Sequence, residues 1–385
     1  MNNELIPFNR AYLATNQLEY VKQSFLSNKI SGNGEFTKKC QFFFKTNFNF
    51  NGLLTSSCTD ALELIADLLD LNAGDEIIVP SYTFVSSALP FVKKGCVIRF
   101  CDSQIDNPNM DLEKAIQLTN EKTKAIVIVH YAGVSCDITL INKIKETGIF
   151  IIEDAAQCID SYYFDETKQT KLPLGSIGHF SSFSFHETKN VSAGEAGLAV
   201  INEAQYFSRA EIIHEKGTNR SQFFKGETDK YGWVDIGSSY LPSDYTAAVL
   251  LSQLEELNII TAKRRSLYER YEENLKAFDQ KYFLLPKIPK YAIHHNCHIF
   301  YLVLNSVEDR DGLIAQLKKN NIFPTFHYQS LHKSDFNLKY SKEIEELPNA
   351  DNYSQCLVRL PLYFDLTFAN VDKISEQVID FFKTK

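Results

Sequence analysis

The sequence predicts an α/β fold in which a mainly parallel sheet is covered by helices on both faces and followed by a smaller α+β unit. Three observations point to it. Compact, largely apolar runs recur at Glu76–Pro80, Val97–Phe100, Ala125–Val129 and Phe150–Ile152, as strands buried on both faces do. Segments with helical spacing separate them, the alternation that builds parallel sheets. Beyond Asp244 the texture changes to a long charged helical stretch.

Taken in order, Leu18, Val21 and Phe25 share one helical face before the break Ser31-Gly32-Asn33-Gly34, and Phe36, Cys40 and Phe43 keep the same period. Gly52-Leu53-Leu54-Thr55 reads as a strand entering Ser56-Ser57-Cys58-Thr59. Ala61, Leu62, Ile65, Ala66 and Leu69 then mark an amphipathic helix that ends near Asn72-Ala73-Gly74. Phe84 to Val92 is expected to be another helix. Tyr245 to about Phe278 is expected to be one long helix, with Leu250, Leu254 and Leu257 on one face, stopped by Pro286-Lys287-Ile288-Pro289. These readings place a large domain over 1–245 and a small one over 246–385.

Composition bounds the function. The chain has 385 residues, 44% hydrophobic and 23% charged, an ordinary mixture able to bury a sizeable core. Its 48 acidic and 40 basic residues leave a net charge of -8 without a basic tract, which argues against a nucleic-acid partner. The start, Met1-Asn2-Asn3-Glu4-Leu5-Ile6-Pro7, lacks the pattern of a signal peptide, and no apolar run is long enough to span a membrane. A cytoplasmic protein is expected. Eight scattered cysteines without a C-x-x-C pair read as reduced thiols.

Sheets of this kind gather ligands at the carboxyl ends of their strands. There the sequence puts Ser57-Cys58-Thr59, where free N–H groups, hydroxyls and the positive end of a helix dipole would converge as a phosphate cup. Ser or Thr in such a place is ordinarily only a helix cap. Glu153-Asp154-Ala155-Ala156-Gln157 closes an apolar strand, and because alternate strand residues face opposite sides, only one of the two acids can point at a ligand. Lys189 follows Asp154 by 35 positions. An amine and a carboxylate so placed suit pyridoxal phosphate, whose aldehyde takes an amine and whose ring nitrogen takes a carboxylate. The only dense histidine cluster, His294-His295-Asn296-Cys297-His298, precedes a strand-like run that would separate His294 from His298, so no metal site is expected.

In order and spacing, Pro80-Ser81-Tyr82-Thr83-Phe84-Val85-Ser86, Glu153-Asp154-Ala155-Ala156-Gln157, Phe183-Ser184-Phe185-His186-Glu187-Thr188-Lys189-Asn190 and Tyr240-Leu241-Pro242-Ser243-Asp244 resemble the DegT/DnrJ/StrS family of sugar-nucleotide aminotransferases. The likeness runs from Ile6-Pro7-Phe8-Asn9 to Arg359-Leu360-Pro361-Leu362. Within the family, Phe185 to Asn190 and Glu215 to Phe224 most resemble the dTDP-4-amino-4,6-dideoxygalactose transaminases. The resemblance implies the type I fold of pyridoxal-phosphate enzymes and a homodimer with shared active sites. It implies Lys189 as the Schiff-base lysine, Asp154 on the pyridinium nitrogen and Gln157 near the ring hydroxyl. Ser57, Cys58, Thr59 and Ser184 would hold the phosphate, with Phe84 stacked on the ring. Ser239 stands where many relatives carry an asparagine that reaches the partner's phosphate. Gly194-Glu195-Ala196-Gly197 has alanine where glycine is usual, so a positive φ at 196 would be costly. The retained lysine separates the chain from the family's dehydrases, which carry histidine there.

The implied reaction is ping-pong transfer of an amino group from glutamate to dTDP-4-keto-6-deoxy-D-glucose, giving dTDP-4-amino-4,6-dideoxygalactose for surface polysaccharide such as lipopolysaccharide. Lys216, Arg220 and His327 are the candidate substrate contacts, since a nucleotide diphosphate calls for cations. The same chemistry giving the dideoxyglucose epimer or a 3-amino sugar, and a silent cofactor-binding homologue, stay open.

Overall fold

A computed structural model of the chain describes residues 5–340 and 344–384. Among them, nine strands precede residue 202: β1 Gly52–Thr55, β2 Glu76–Pro80, β3 Val97–Cys101, β4 Thr123–Val129, β5 Phe150–Asp154, β6 Tyr162–Asp165, β7 Thr170–Pro173, β8 Phe180–Ser184 and β9 Gly197–Ile201. Seven of them form the main sheet in the order β1-β9-β8-β5-β4-β2-β3, and β6 and β7 form a separate hairpin. Only β9 runs against its neighbours; β8, β5, β4, β2 and β3 pair in parallel. The expected α/β architecture with a mainly parallel sheet is what the chain adopts.

The alternation of side chains explains why these strands read as unbroken apolar runs. Ile126 and Ile128 of β4 enter one core with Phe36, Cys40 and Phe44, while Ala125 and Val127 enter another with Ala61, Leu62 and Ile65. Both faces are dry, so neither set of positions can be polar. A second sheet follows, built of β10 Phe283–Leu284, β11 Phe300–Leu304, β12 Thr325–Phe326 and β13 Leu357–Leu360 in the antiparallel order β10-β11-β13-β12. The helix Phe368–Lys383 covers it, and the early residue Ile6 joins its core while pairing with Ile322.

Three expectations change in detail. Phe84–Val92 is not one helix but a 3-10 turn at Val85–Ser87 followed by the helix Leu89–Lys93. Pro90 lies in that helix's first turn, where its missing N–H costs nothing but forbids continuation from upstream. The stretch from Tyr245 breaks at Glu256, with φ -104 and ψ 11, into Asp244–Glu255 and Leu257–Leu275. The Glu256 carboxylate there accepts from the Tyr12 hydroxyl and the Thr15 N–H, which ties the break to the N-terminal segment. Leu18 and Phe25 do share the helix Gln17–Leu26, yet both are exposed, and Phe25 stacks on Tyr245. Among the described residues no helix is long and apolar enough to cross a membrane.

Candidate active site

Parallel register puts the ends of β4, β5 and β8 side by side, with Asp154 opposite Val129 on one side and Ser182 on the other. Beyond those ends lies a cavity of about 670 Å³. Most residues singled out in the sequence meet there: Ser57, Cys58, Thr59, Phe84, Asp154, Gln157, Ser184, Lys189 and His327.

Ser57 caps the helix Cys58–Leu68, its hydroxyl accepting from the Asp60 N–H at 3.0 Å. The N–H groups of Cys58 and Thr59 lie one turn too early for intrahelical acceptors. Both residues line the cavity at the positive end of the helix dipole, as an anion site requires. β9 lies tightly against this turn, since a Cβ on Gly197 would fall 2.3 Å from the Ser57 carbonyl oxygen. The neighbouring Ala196 has an ordinary negative φ, and the left-handed position is taken by Gly194. The methyl group at 196 is therefore accommodated without strain.

Asp154 and Glu153 part as the alternation requires. Glu153 turns away from the cavity, accepts the N–H groups of Gly175, Ile177 and Gly178 at 2.6 to 2.8 Å, and meets His130 Nε2 at 2.9 Å. These donors hold its carboxyl below the usual range despite complete burial. Asp154 faces the cavity, with Oδ1 accepting from the Ala156 N–H and Oδ2 from the Ser87 hydroxyl. Among the described residues it has no ion-pair partner within 4 Å, which leaves it available to a cationic ring nitrogen.

Lys189 lies across the same space. Burial pushes its amine below the ordinary lysine value, and Asp154 and Cys58 partly offset that. An amine lowered in this way is a better nucleophile toward an aldehyde. An anion cup, a nucleophilic amine and an unpaired carboxylate around one cavity fit pyridoxal phosphate.

Phe84, 56% exposed, stands at the mouth of the cavity. Gln157 accepts from the Ala132 N–H at 2.6 Å and donates to the Tyr328 hydroxyl at 3.1 Å. His327 is kept neutral by burial and by the nearby charges of Arg359 and Lys189. The segment that carries His327 and Tyr328 is fastened to the end of β2. Ser81 Oγ lies within hydrogen-bond distance of His332 Nδ1 at 2.6 Å, and the Ser81 carbonyl accepts from the Leu331 N–H.

Lys216, Arg220 and Ser239 do not reach this cavity within one chain. They line a separate cleft of about 640 Å³ whose other cations include Lys29, Lys38 and Lys225. Arg220 there lies 3.7 Å from Glu215 and over the ring of Phe224.

Sequence reasoning missed Ser87, His298, Tyr328 and Arg359. Arg359 had a signal, being the one charged residue in the apolar strand Leu357-Val358-Arg359-Leu360. Its guanidinium lies 4.4 Å over the ring of Phe8, and among the described residues its buried Nε has no hydrogen-bond partner.

The profile of the DegT/DnrJ/EryC1/StrS aminotransferase family matches residues 12–379. The chain belongs to that family. Its cofactor is accordingly pyridoxal phosphate, and the type I fold follows. Among solved structures, this aminotransferase is similar to Spr1654 of Streptococcus pneumoniae, assigned as a sugar aminotransferase, in its PMP form. Identity is 25% over 98% of this chain and 99% of that one, with a TM-score of 0.90. A family member from Brucella abortus is also 25% identical, over 95% of each chain, with a TM-score of 0.83. PseC of Helicobacter pylori, an aminotransferase of pseudoaminic acid biosynthesis, shares the fold at 21% identity over 99% of this chain and all of that one, with a TM-score of 0.89.

Proposed function

We propose that this aminotransferase moves the amino group of glutamate onto the C4 ketone of dTDP-4-keto-6-deoxy-D-glucose, forming dTDP-4-amino-4,6-dideoxygalactose. The convergence of Lys189, Asp154 and the Ser57–Thr59 turn on one cavity carries the transamination part of this reading. The sugar part is supported by the family and by the likeness to Spr1654. The choice of nucleotide and epimer rests on the motif resemblance.

When bound, pyridoxal phosphate supplies an aldehyde that takes the amino group and a protonated ring that accepts the electrons released at the amino acid's α-carbon. Ser57, Cys58, Thr59 and Ser184 would hold the phosphate, Phe84 would cover the ring, and Gln157 would reach its hydroxyl. Asp154 would keep the ring nitrogen protonated. The Lys189 amine would take the α-proton of glutamate and later deliver a proton to C4 of the sugar, which sets the stereocentre. Arg359 pairs with the carboxylate of the donor, because a buried guanidinium with an unpaired Nε invites a two-pronged acceptor. His327, neutral and hydrogen-bonded to the Tyr131 hydroxyl at 3.0 Å, offers the sugar a contact without charge.

The second copy of a homodimer would bring the basic cleft to the cavity. Lys216 and Arg220 would then meet the diphosphate, and the Ser239 hydroxyl would approach the cofactor phosphate. The exposed apolar side chains of Leu13, Leu18, Phe25 and Leu26 suit burial in such a contact. Residues 1–245 would act as the cofactor domain, with 246–385 as the smaller unit that supplies His327 and Arg359.

The test is incubation of the enzyme with glutamate and a panel of dTDP- and UDP-ketosugars, with NMR of the product. An axial C4 amine on the dTDP sugar supports the reading. An equatorial amine, a C3 amine or exclusive use of a UDP sugar refutes it.

A further inference from the structure

The 3-10 turn Val85–Ser87 touches both ends of the cofactor site through adjacent serines. Ser86 Oγ lies 2.7 Å from Thr59 Oγ1 at the anion cup. Ser87 Oγ donates to Asp154 Oδ2 at 2.6 Å. Because Ser87 spends its only proton on that carboxylate, the 2.8 Å contact between Thr83 Oγ1 and Ser87 Oγ must run from Thr83 to Ser87. Thr83 and Ser87 are 2% and 0% exposed, so water does not compete with the relay. Phe84, between them in sequence, stands over the cavity.

We infer that Ser86 and Ser87 are positioning residues that fix the span between the phosphate cup and Asp154, and that the Thr83–Ser87 relay aims the Asp154 carboxylate at the ring nitrogen. This rests on the reading of Asp154 given above. A carboxylate on a strand end can rotate about its Cβ–Cγ bond. The Ala156 N–H and the Ser87 hydroxyl, one on each oxygen, remove that freedom. Hydrogen bonds to a charged acceptor are strong enough for the aim to persist.

The experiment titrates full-length protein, stripped of cofactor, with three probes: pyridoxal phosphate, its 1-deaza analogue with carbon in place of the ring nitrogen, and pyridoxal, which lacks the phosphate. Ser87→Ala should weaken pyridoxal phosphate about tenfold while changing the deaza analogue less than about twofold. Thr83→Val should act in the same direction but less. Ser86→Ala should weaken pyridoxal phosphate severalfold and leave pyridoxal unaffected. Equal losses for all probes, or none, would overturn the inference. Ser87→Cys, of similar size and with a weaker donor, should fall between wild type and alanine; circular dichroism and melting temperature check each fold. Asp154→Asn separates the two levels. If it fails to abolish the preference for pyridoxal phosphate over the deaza analogue, the reading of Asp154 is wrong. If it abolishes the preference and Ser87→Ala does not, only the serine inference is wrong.

Discussion

Two concavities of similar volume, the Lys189 cavity and the cleft around Lys216, are built by different means. The Lys189 cavity is set by strand register, a capped helix start and buried hydrogen bonds, and burial lowers the pKa of its lysine. The cleft around Lys216 and Arg220 is lined by long cationic side chains, with Arg220 about half exposed beside Glu215. On the proposed reading, the first is prepared within one chain before any substrate arrives. The second gains its meaning only against another copy. Bond-making chemistry needs positions fixed to fractions of an ångström, whereas a diphosphate can be gripped by mobile charges.

Substitutions can break or sharpen this contrast. The largest effect is expected for Lys189→Ala, which removes the only lysine lining the cavity among the described residues. Turnover should fall at least about 10⁴-fold with loss of the cofactor's yellow colour, followed by single-turnover absorbance. Next comes Glu153→Gln, which turns an NH₂ group toward buried donors. It should cost about 3 kcal/mol in denaturant unfolding. In the cleft, Arg220→Ala should raise KM for the sugar nucleotide about tenfold and leave KM for glutamate unchanged. Equal effects on both would erase the division of labour.

The last effect is on pH dependence. His214 lies under the cleft yet is buried, its ring bonded to the Leu54 carbonyl oxygen, and burial lowers its pKa from 6.5 to about 4. The folded protein then binds fewer protons than the unfolded chain between those values. Its neutral form stabilises the fold above pH 6.5, and the contribution is lost as pH falls toward 4, by at most about 1.4 kcal/mol per pH unit. His214→Gln, which keeps the donor, should flatten the fall in unfolding free energy between pH 6.5 and pH 5.

Much of the cavity was legible in the sequence because its parts sit at strand ends, where apolar runs stop and polar residues begin. Lys189, Asp154 and Ser57 to Thr59 all carry that local mark. Arg359, His298 and Tyr328 do not, because they reach the cavity from the second sheet and its loops, and periodicity says nothing of which sheets meet. Ser87 was invisible for another reason: a serine in a short turn looks the same whether it faces water or a buried carboxylate. The break at Glu256 likewise depends on Tyr12 and Thr15, more than two hundred residues away. The role proposed for the cleft lay beyond local pattern altogether, since no spacing in one chain reports on a second copy.

Glu153 and Asp154 give neighbouring codons unrelated jobs. In a mutant library scored by abundance in cells, position 153 should tolerate almost nothing, while position 154 accepts asparagine. Scored by growth that depends on product made by the enzyme, both should be intolerant. The difference between those two maps would tell assembly from catalysis at adjacent positions, without purifying a single variant.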